Sequence, residues 1–154
     1  MSINANWEKW CVASIGQTFE DGCGSTIPLF IEGQVRATKD EAEFVELRVD
    51  GPWTTEINKN YFRLFFEVSI LVQATIDPTD QYNIRKLTGQ ISSMFNDINV
   101  YKYGDGGAYL GCLKLIQDSR KKERVQTNHF GQINPSVPLQ QATVEGHYEI
   151  HLSN

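Results

Sequence analysis

Residues 61–76, YFRLFFEVSILVQATI, alternate without a slip. Phe62, Leu64, Phe66, Val68, Ile70, Val72, Ala74 and Ile76 fall on one side. Arg63, Phe65, Glu67, Ser69, Leu71, Gln73 and Thr75 fall on the other. Period two over that length predicts a strand. At about 3.3 Å per residue it spans roughly 50 Å, well beyond the usual strand of about 5–6 residues. The even face reads as core. On the odd face, Phe65 and Leu71 interrupt an otherwise polar run, so a second covering surface is expected there.

The segments around this strand set the fold class. Trp7, Trp10, Cys11, Ser14, Ile15 and Phe19 recur at spacings of three and four. They predict an N-terminal helix, with Asn4 or Asn6 as its cap and EDGCGS as its stop. TIPLFIEG is a short strand, entered at Pro28. FVELRVD alternates Val45, Leu47 and Val49 against Glu46, Arg48 and Asp50, and GPWTTEINKN reads as a loop joining it to the long strand. After DPTD, the residues Ile84, Leu87, Ile91, Met94 or Phe95, and Ile98 predict an amphipathic helix of about five turns. NVYKY and AYLGCLKLI read as strands around a GDGG turn. Residues 117–140 carry two prolines and no clear period, which predicts a long polar loop. ATVEGHYEIHL closes the chain as a strand. The expected architecture is α+β in one domain, residues 1–154: a mainly antiparallel sheet, two helices packed on it and a projecting hairpin.

Bulk composition excludes some function classes. The 154 residues carry a net charge of −5, which argues against a general binder of nucleic acid or anionic membrane. No apolar run reaches the ~18 residues of a membrane helix. Cys11, Cys23 and Cys112 are odd in number and form no CxxC, so free thiols in a reducing compartment are expected. The N-terminal MSINANWEKW has no signal-peptide pattern.

No catalytic constellation with a recognisable spacing is present. Glu145, His147, Glu149 and His151 share one strand face, which leaves open a small enzyme or ligand-binding domain using Glu145, His147 and Glu149. His147 and His151 are about 13 Å apart along a strand, too far for a common ion, so no metal or cofactor is expected. Cys11 reads as a buried inert thiol. Cys23, between two glycines, reads as accessible. GDGG at 104–107 lacks GxGxxG spacing and precedes a strand, so it is a turn and not a phosphate cradle. Arg120, Lys121, Lys122 and Arg124 form the one basic cluster. Protein contact suits it better than a nucleic-acid module, because an acid interrupts it and no aromatic platform is near.

The succession of helix, short strand, strand pair with FVELRVDGPWTTEINKNYFRLFFEVSILV, acidic DPTD, second helix ending SSMFNDI and closing strands resembles the tail terminator proteins of long-tailed bacteriophages, the lambda type among them. The resemblance covers most of residues 5–116 and the final strand, and loop 117–140 departs from it. It implies a virion structural protein, not an enzyme: a hexameric ring at the head-proximal end of the tail tube, assembled in the host cytoplasm. The partners implied are other copies of the chain, the tail tube protein and the head connector or neck proteins. DNA would pass through the lumen without specific binding, with no cofactor. A tail tube or other tail-completion subunit is the alternative within that class. On this reading Trp53 anchors a neighbour, Phe65 and Leu71 are covered by a helix or a neighbour, and Arg120, Lys121, Lys122 and Arg124 meet a partner.

Overall fold

The computed structural model describes residues 3–32, 43–76, 79, 82–117, 123–134 and 136–153. Strand β3 (Tyr61–Thr75) runs through the middle of a seven-stranded sheet. Along its whole length it pairs antiparallel with β7 (Val137–Ser153), from Tyr61 opposite Ser153 to Thr75 opposite Leu139. Its other edge pairs antiparallel with β2 (Phe44–Asn58), and β1 (Leu29–Ile31) adds a short parallel strand outside β2. Across the sheet, β7 pairs with β5 (Tyr109–Ile116), which carries β4 (Ile98–Tyr101), and also with β6 (Val125–Asn134). The fold is α+β with a mainly antiparallel sheet. Helices α1 (Trp7–Cys23) and α2 (Asn83–Ser92) complete it.

The alternation of β3 is expressed as burial. Phe62, Leu64, Phe66, Val68, Ile70, Val72 and Ala74 are buried, while Tyr61, Arg63, Phe65, Glu67, Ser69 and Leu71 are half-buried. Both helices lie on the even face. Trp7, Trp10, Cys11, Ile15 and Phe19 of α1 and Ile84, Leu87 and Ile91 of α2 join Val144, Tyr148, Ile150 and Leu152 of β7 in one core. Aromatic edges knit it: Trp7 packs on Phe62, and Phe95 lies between Phe19 and Tyr148. The Tyr148 hydroxyl reaches the core boundary and donates to the Asn96 carbonyl at 3.0 Å, so the buried phenol keeps a partner.

Phe95 needs room on β7, and Gly146 provides it. A Cβ at residue 146 would stand 2.7 Å from Phe95 Cδ1. A ring wedged between two other aromatic side chains has little freedom to move aside.

Several expectations change. The expected loop at 51–60 is the distal half of β2 and a tight turn; Asn60, at φ 67°, supplies the left-handed turn residue. The alternation of β2 is lost at Gly51–Pro52 because a bulge falls between Asp50 and Trp53. Gly51, at φ 100°, sits where a Cβ would meet the Phe65 carbonyl oxygen at 2.7 Å. The expected loop 117–140 contains β6 and the start of β7. Bulges at His129/Gly131 and Gln132/Asn134 break its period, and an edge strand can be polar on both sides. Helix α2 spans Asn83–Ser92, shorter than five turns, and starts at Tyr82 with no side-chain cap. Asn6 caps α1 without a side-chain bond. Asp77, Pro78 and Asp80 lie outside the described residues. Cys23 is buried against the core, not accessible. Cys11 is buried as expected, and burial pushes its thiol pKa up to about 12. GDGG forms the β4–β5 turn, with Gly104, Gly106 and Gly107 all at positive φ.

The two strands on one side of β7 are related in an informative way. Ile116 pairs with His147 and Val125 pairs with Gly146, the next residue of β7. Since β3 occupies the other edge of β7, β5 and β6 are consecutive segments along a single edge. Residues 117–124 are an insertion between neighbouring ladder positions.

Two stability outcomes follow. Gly146→Ala lowers unfolding free energy by about 1–3 kcal/mol through the clash with Phe95, measured by urea denaturation. A variant that joins Ile116 directly to Val125 folds with the same far-ultraviolet circular dichroism as the full chain and a cooperative melt. A non-cooperative melt would show that β5 and β6 are not one interrupted strand.

Candidate functional site

No described helix packs on the face of the sheet opposite α1 and α2, and its β3 side chains from Tyr61 to Leu71 are half-buried, with Gln73 buried. Strand register arranges that face in rows. Trp53, Phe65, Glu149 and Lys114 stand side by side across β2, β3, β7 and β5. The next row is Asp50, Glu67, His147 and Ile116, followed by Arg48, Ser69, Glu145 and Gln126. Glu46, Leu71, Thr143 and Asn128 form the row beyond.

Aromatic packing concentrates in the first two rows. The bulge turns Trp53 across Phe65, with ring centroids 5.7 Å apart. Phe65 stacks in turn on the His147 imidazole at 5.5 Å and 19°. The Arg63 guanidinium stands 5.3 Å from the Phe65 ring centre while its Nε–H donates to Glu149 Oε2. The Tyr61 hydroxyl and His151 Nδ1 share a hydrogen bond of 3.2 Å. The result is a rigid strip of three rings with a polar border. Trp53 remains 52% exposed, a large apolar surface on the distal arm of β2.

That arm is also an open edge. β1 pairs only with Val45–Leu47, and beyond Leu47 no described strand pairs with the outer side of β2. Residues 51 and 53 and residues 55–60 are exposed. The exposed part of the expected hairpin is the distal half of β2; the β3 residues beside it pair with β7, and Phe62, Leu64 and Phe66 stay buried.

Trp53 and Phe65, expected as separate contacts, are therefore neighbours in one site. Leu71 is on the same face three rows away. Neither helix covers Phe65 or Leu71, because both helices pack on the opposite side. Lys121, Lys122 and Arg120 lie outside the described residues, while Arg124 is described and exposed. Arg124 adds a weak pull on Asp97. The Asp97 carboxyl is held below its usual 3.8 chiefly by the Leu115 N–H, which donates to it at 2.9 Å, and then by Lys114. Arg124 and the aromatic strip belong to different places on the molecule.

Glu145, His147, Glu149 and His151 share the open face, as their spacing predicted. Glu149 is occupied by Arg63, and the flat face of His147 is packed on Phe65. Cavities of about 450 Å³ beside Trp7, Trp10 and Lys102 and of about 270 Å³ beside Tyr82, Arg85 and His129 lie away from them. Among the described residues no three His, Cys, Asp or Glu side chains gather to hold a metal. No helix among them is long and apolar enough to cross a membrane.

Sequence reasoning missed the β2 edge and the Trp53–Phe65 contact. The PWTTEIN segment carries alternation too, but the bulge shifts its phase, so pairing of Trp53 with Phe65 is visible only in register.

No family model and no curated protein matches the chain. Among the solved structures that match, one has a TM-score of 0.57 at 9% identity, covering 92% of this chain and 94% of that one. At that identity the likeness establishes the fold alone.

Two outcomes test the site. Trp53→Ala changes monomer stability by less than about 1 kcal/mol, because the ring is half in solvent, whereas a buried anchor such as Phe66→Ala costs about 3–5 kcal/mol. The Asp97 carboxyl has a lower pKa folded than unfolded. Its contribution is full above pH 3.8 and is lost as pH falls through the folded value. Asp97→Asn therefore flattens the acid limb of the stability profile below about pH 4, read as melting temperature against pH.

Proposed function

We propose that this chain is a ring-forming structural subunit of a long-tailed phage tail, of the tail terminator type, and that it acts without catalysis. The observation that carries the reading is the β2–β3 arm: an edge strand that no described strand pairs beyond Leu47 and that holds Trp53 exposed over Phe65. An exposed aromatic anchor inside a polar border is the usual composition of a protein contact. Open strand edges bind by adding a strand, with main-chain hydrogen bonds giving affinity. An arm and a face at different places on one chain make a heterologous contact, which gives a ring where the rotation between copies closes and a filament where it does not.

The helices of α1 and α2 cover one side of the sheet, and the other side is left for neighbours. In the assembly the ring would sit at the head-proximal end of the tail tube, between tube and neck proteins, in the virion. An acidic chain suits a lumen through which DNA slides, since like charges do not grip. A tail tube subunit shares the projecting arm. It differs in forming long cylinders where a terminator stops at one ring.

The test is electron microscopy of purified protein, alone and mixed with tail tubes. Six-fold rings that cap tube ends are the expected result. Trp53→Ala and Phe65→Ser chains, folded by circular dichroism, form no rings. A chain that stays monomeric and never touches tubes would overturn the reading, and so would variants that assemble like the wild type.

A further inference from the structure

Exposed large apolar side chains fall in three places among the described residues. Trp53 and Ile57 are on the distal arm of β2, Tyr103 and Tyr109 at the β4–β5 turn, and Tyr82 and Phe130 before α2 and in β6. The first two places are opposite ends of the sheet, whose strand order is β1-β2-β3-β7-β5-β4. They also stand at one level along the strands. Asn58 pairs with Tyr61, Tyr61 pairs with Ser153, and Ser153 lines one cavity with Leu110, the residue after Tyr109. A rotation about an axis along the strands therefore brings the arm of one copy beside the β4–β5 corner of the next.

The corner is braced from within. Tyr101 meets Tyr103 and Tyr109 edge-on, with ring centroids 6.1 and 5.9 Å away. Asp105 in the turn accepts the Trp10 indole N–H at 2.7 Å and the Lys9 ammonium at 3.0 Å, which ties the turn to α1. The Lys102 ammonium stands 5.2 Å from the Trp10 ring centre. Side chains already held in place lose little freedom when a partner arrives. The β4 main chain is guarded, because Ser14 Oγ accepts the Tyr101 N–H at 3.1 Å. What the corner presents to a neighbour is its side chains.

From these placements we infer that the β4–β5 corner receives the distal β2 arm of a second copy of this chain, Trp53 against Tyr103 and Tyr109 and Glu56 against Lys102. The two faces of the sheet match across such a contact. Trp53 pairs with Phe65 on the open face, and Tyr101 and Tyr109, paired with each other, alternate away from the buried Val100 toward that same face. Glu56 pairs with Phe62 on the helix side, where Lys102 stands over Trp10. Charge agrees as well. Glu56 is the one charged residue in 51–58, whereas Lys9 and Lys102 flank the single carboxylate of the turn, Asp105. Aromatic anchors supply most of the affinity in a contact of this kind, and the charges set register. Arm and corner are different surfaces, so each copy gives one and receives one. The inference rests on the ring reading above and names the receiving half of its interface.

The experiment uses the full chain in two half-competent forms, each checked for folding by circular dichroism and followed by sedimentation velocity. Trp53→Ala has an intact corner and a blunted arm. Tyr103→Ser/Tyr109→Ser has an intact arm and a blunted corner. Each alone is expected to stay monomeric. An equimolar mixture is expected to form a dimer and nothing larger, because one intact arm then meets one intact corner and the second contact is missing. If Tyr103→Ser/Tyr109→Ser assembles like the wild type while Trp53→Ala does not, the corner is not the receiving surface and the ring reading stands. If both forms are folded and monomeric and their mixture stays monomeric, arm and corner are not partners and the inference is overturned. If Tyr103→Ser/Tyr109→Ser alone forms a dimer, arms meet arms and the inference is likewise overturned. A wild-type chain that never self-associates overturns both this inference and the ring reading.

Discussion

The β3–β7 ladder is the constraint from which the rest of the molecule follows. Fifteen residues of β3 pair in unbroken register with β7, from Tyr61 to Thr75. Because side chains alternate with period two, that register assigns every residue of both strands to a face at once. The even face becomes continuous hydrocarbon from Phe62 to Ala74 and from Ala142 to Leu152, and it can be buried only by the two helices. The odd face inherits a mixture of charge and aromatic rings that no helix covers. A slip of one residue would exchange the two, so the contacts with helices and the site on the open face are specified together.

The core uses the ladder almost to its end, since Trp7 packs on Phe62 beside the β2–β3 turn and the even residues from Phe62 to Ala74 are buried. What is left exposed is the strand outside it, the distal arm of β2. Here the bulge at Gly51–Pro52 does two things. It twists the edge and stops β2 from presenting a flat, regular strand to any passing edge, a common protection against indiscriminate pairing. It also turns Trp53 onto Phe65 and so builds the aromatic strip. An arm that is both guarded and sticky at one spot suits a contact with a defined partner.

Much of this was legible in the sequence, and the parts that were not have physical reasons. The alternation of residues 61–76 carried β3 and its core face because every second residue is apolar and nothing breaks the period. The N-terminal helix was legible from Trp7 to Phe19 for the same reason at spacing three and four. By contrast, β6 has water or a neighbour on most of its surface, so selection for apolar residues is weak and its bulges erase what period remains. Residues 51–58 were read as loop because glycine, proline and a phase shift coincide there. Phe65 and Leu71 stood out as apolar interruptions, but the partnership of Phe65 with Trp53 depends on a register set by the bulge. Glu145, His147 and Glu149 share a face as their spacing implied, while the pairing of Arg63 with Glu149 and the stacking of Phe65 on His147 depend on the register across β3 and β7.

The central claim is that the open edge and aromatic strip of the β2–β3 arm are a contact between subunits. Amide hydrogen exchange compared between dilute and concentrated protein tests it most directly. The account predicts that residues 48–58 gain protection at the concentration where the larger species forms, while β3 and β7 in the core stay protected throughout. Assembly with no change in exchange over residues 48–58 would contradict it.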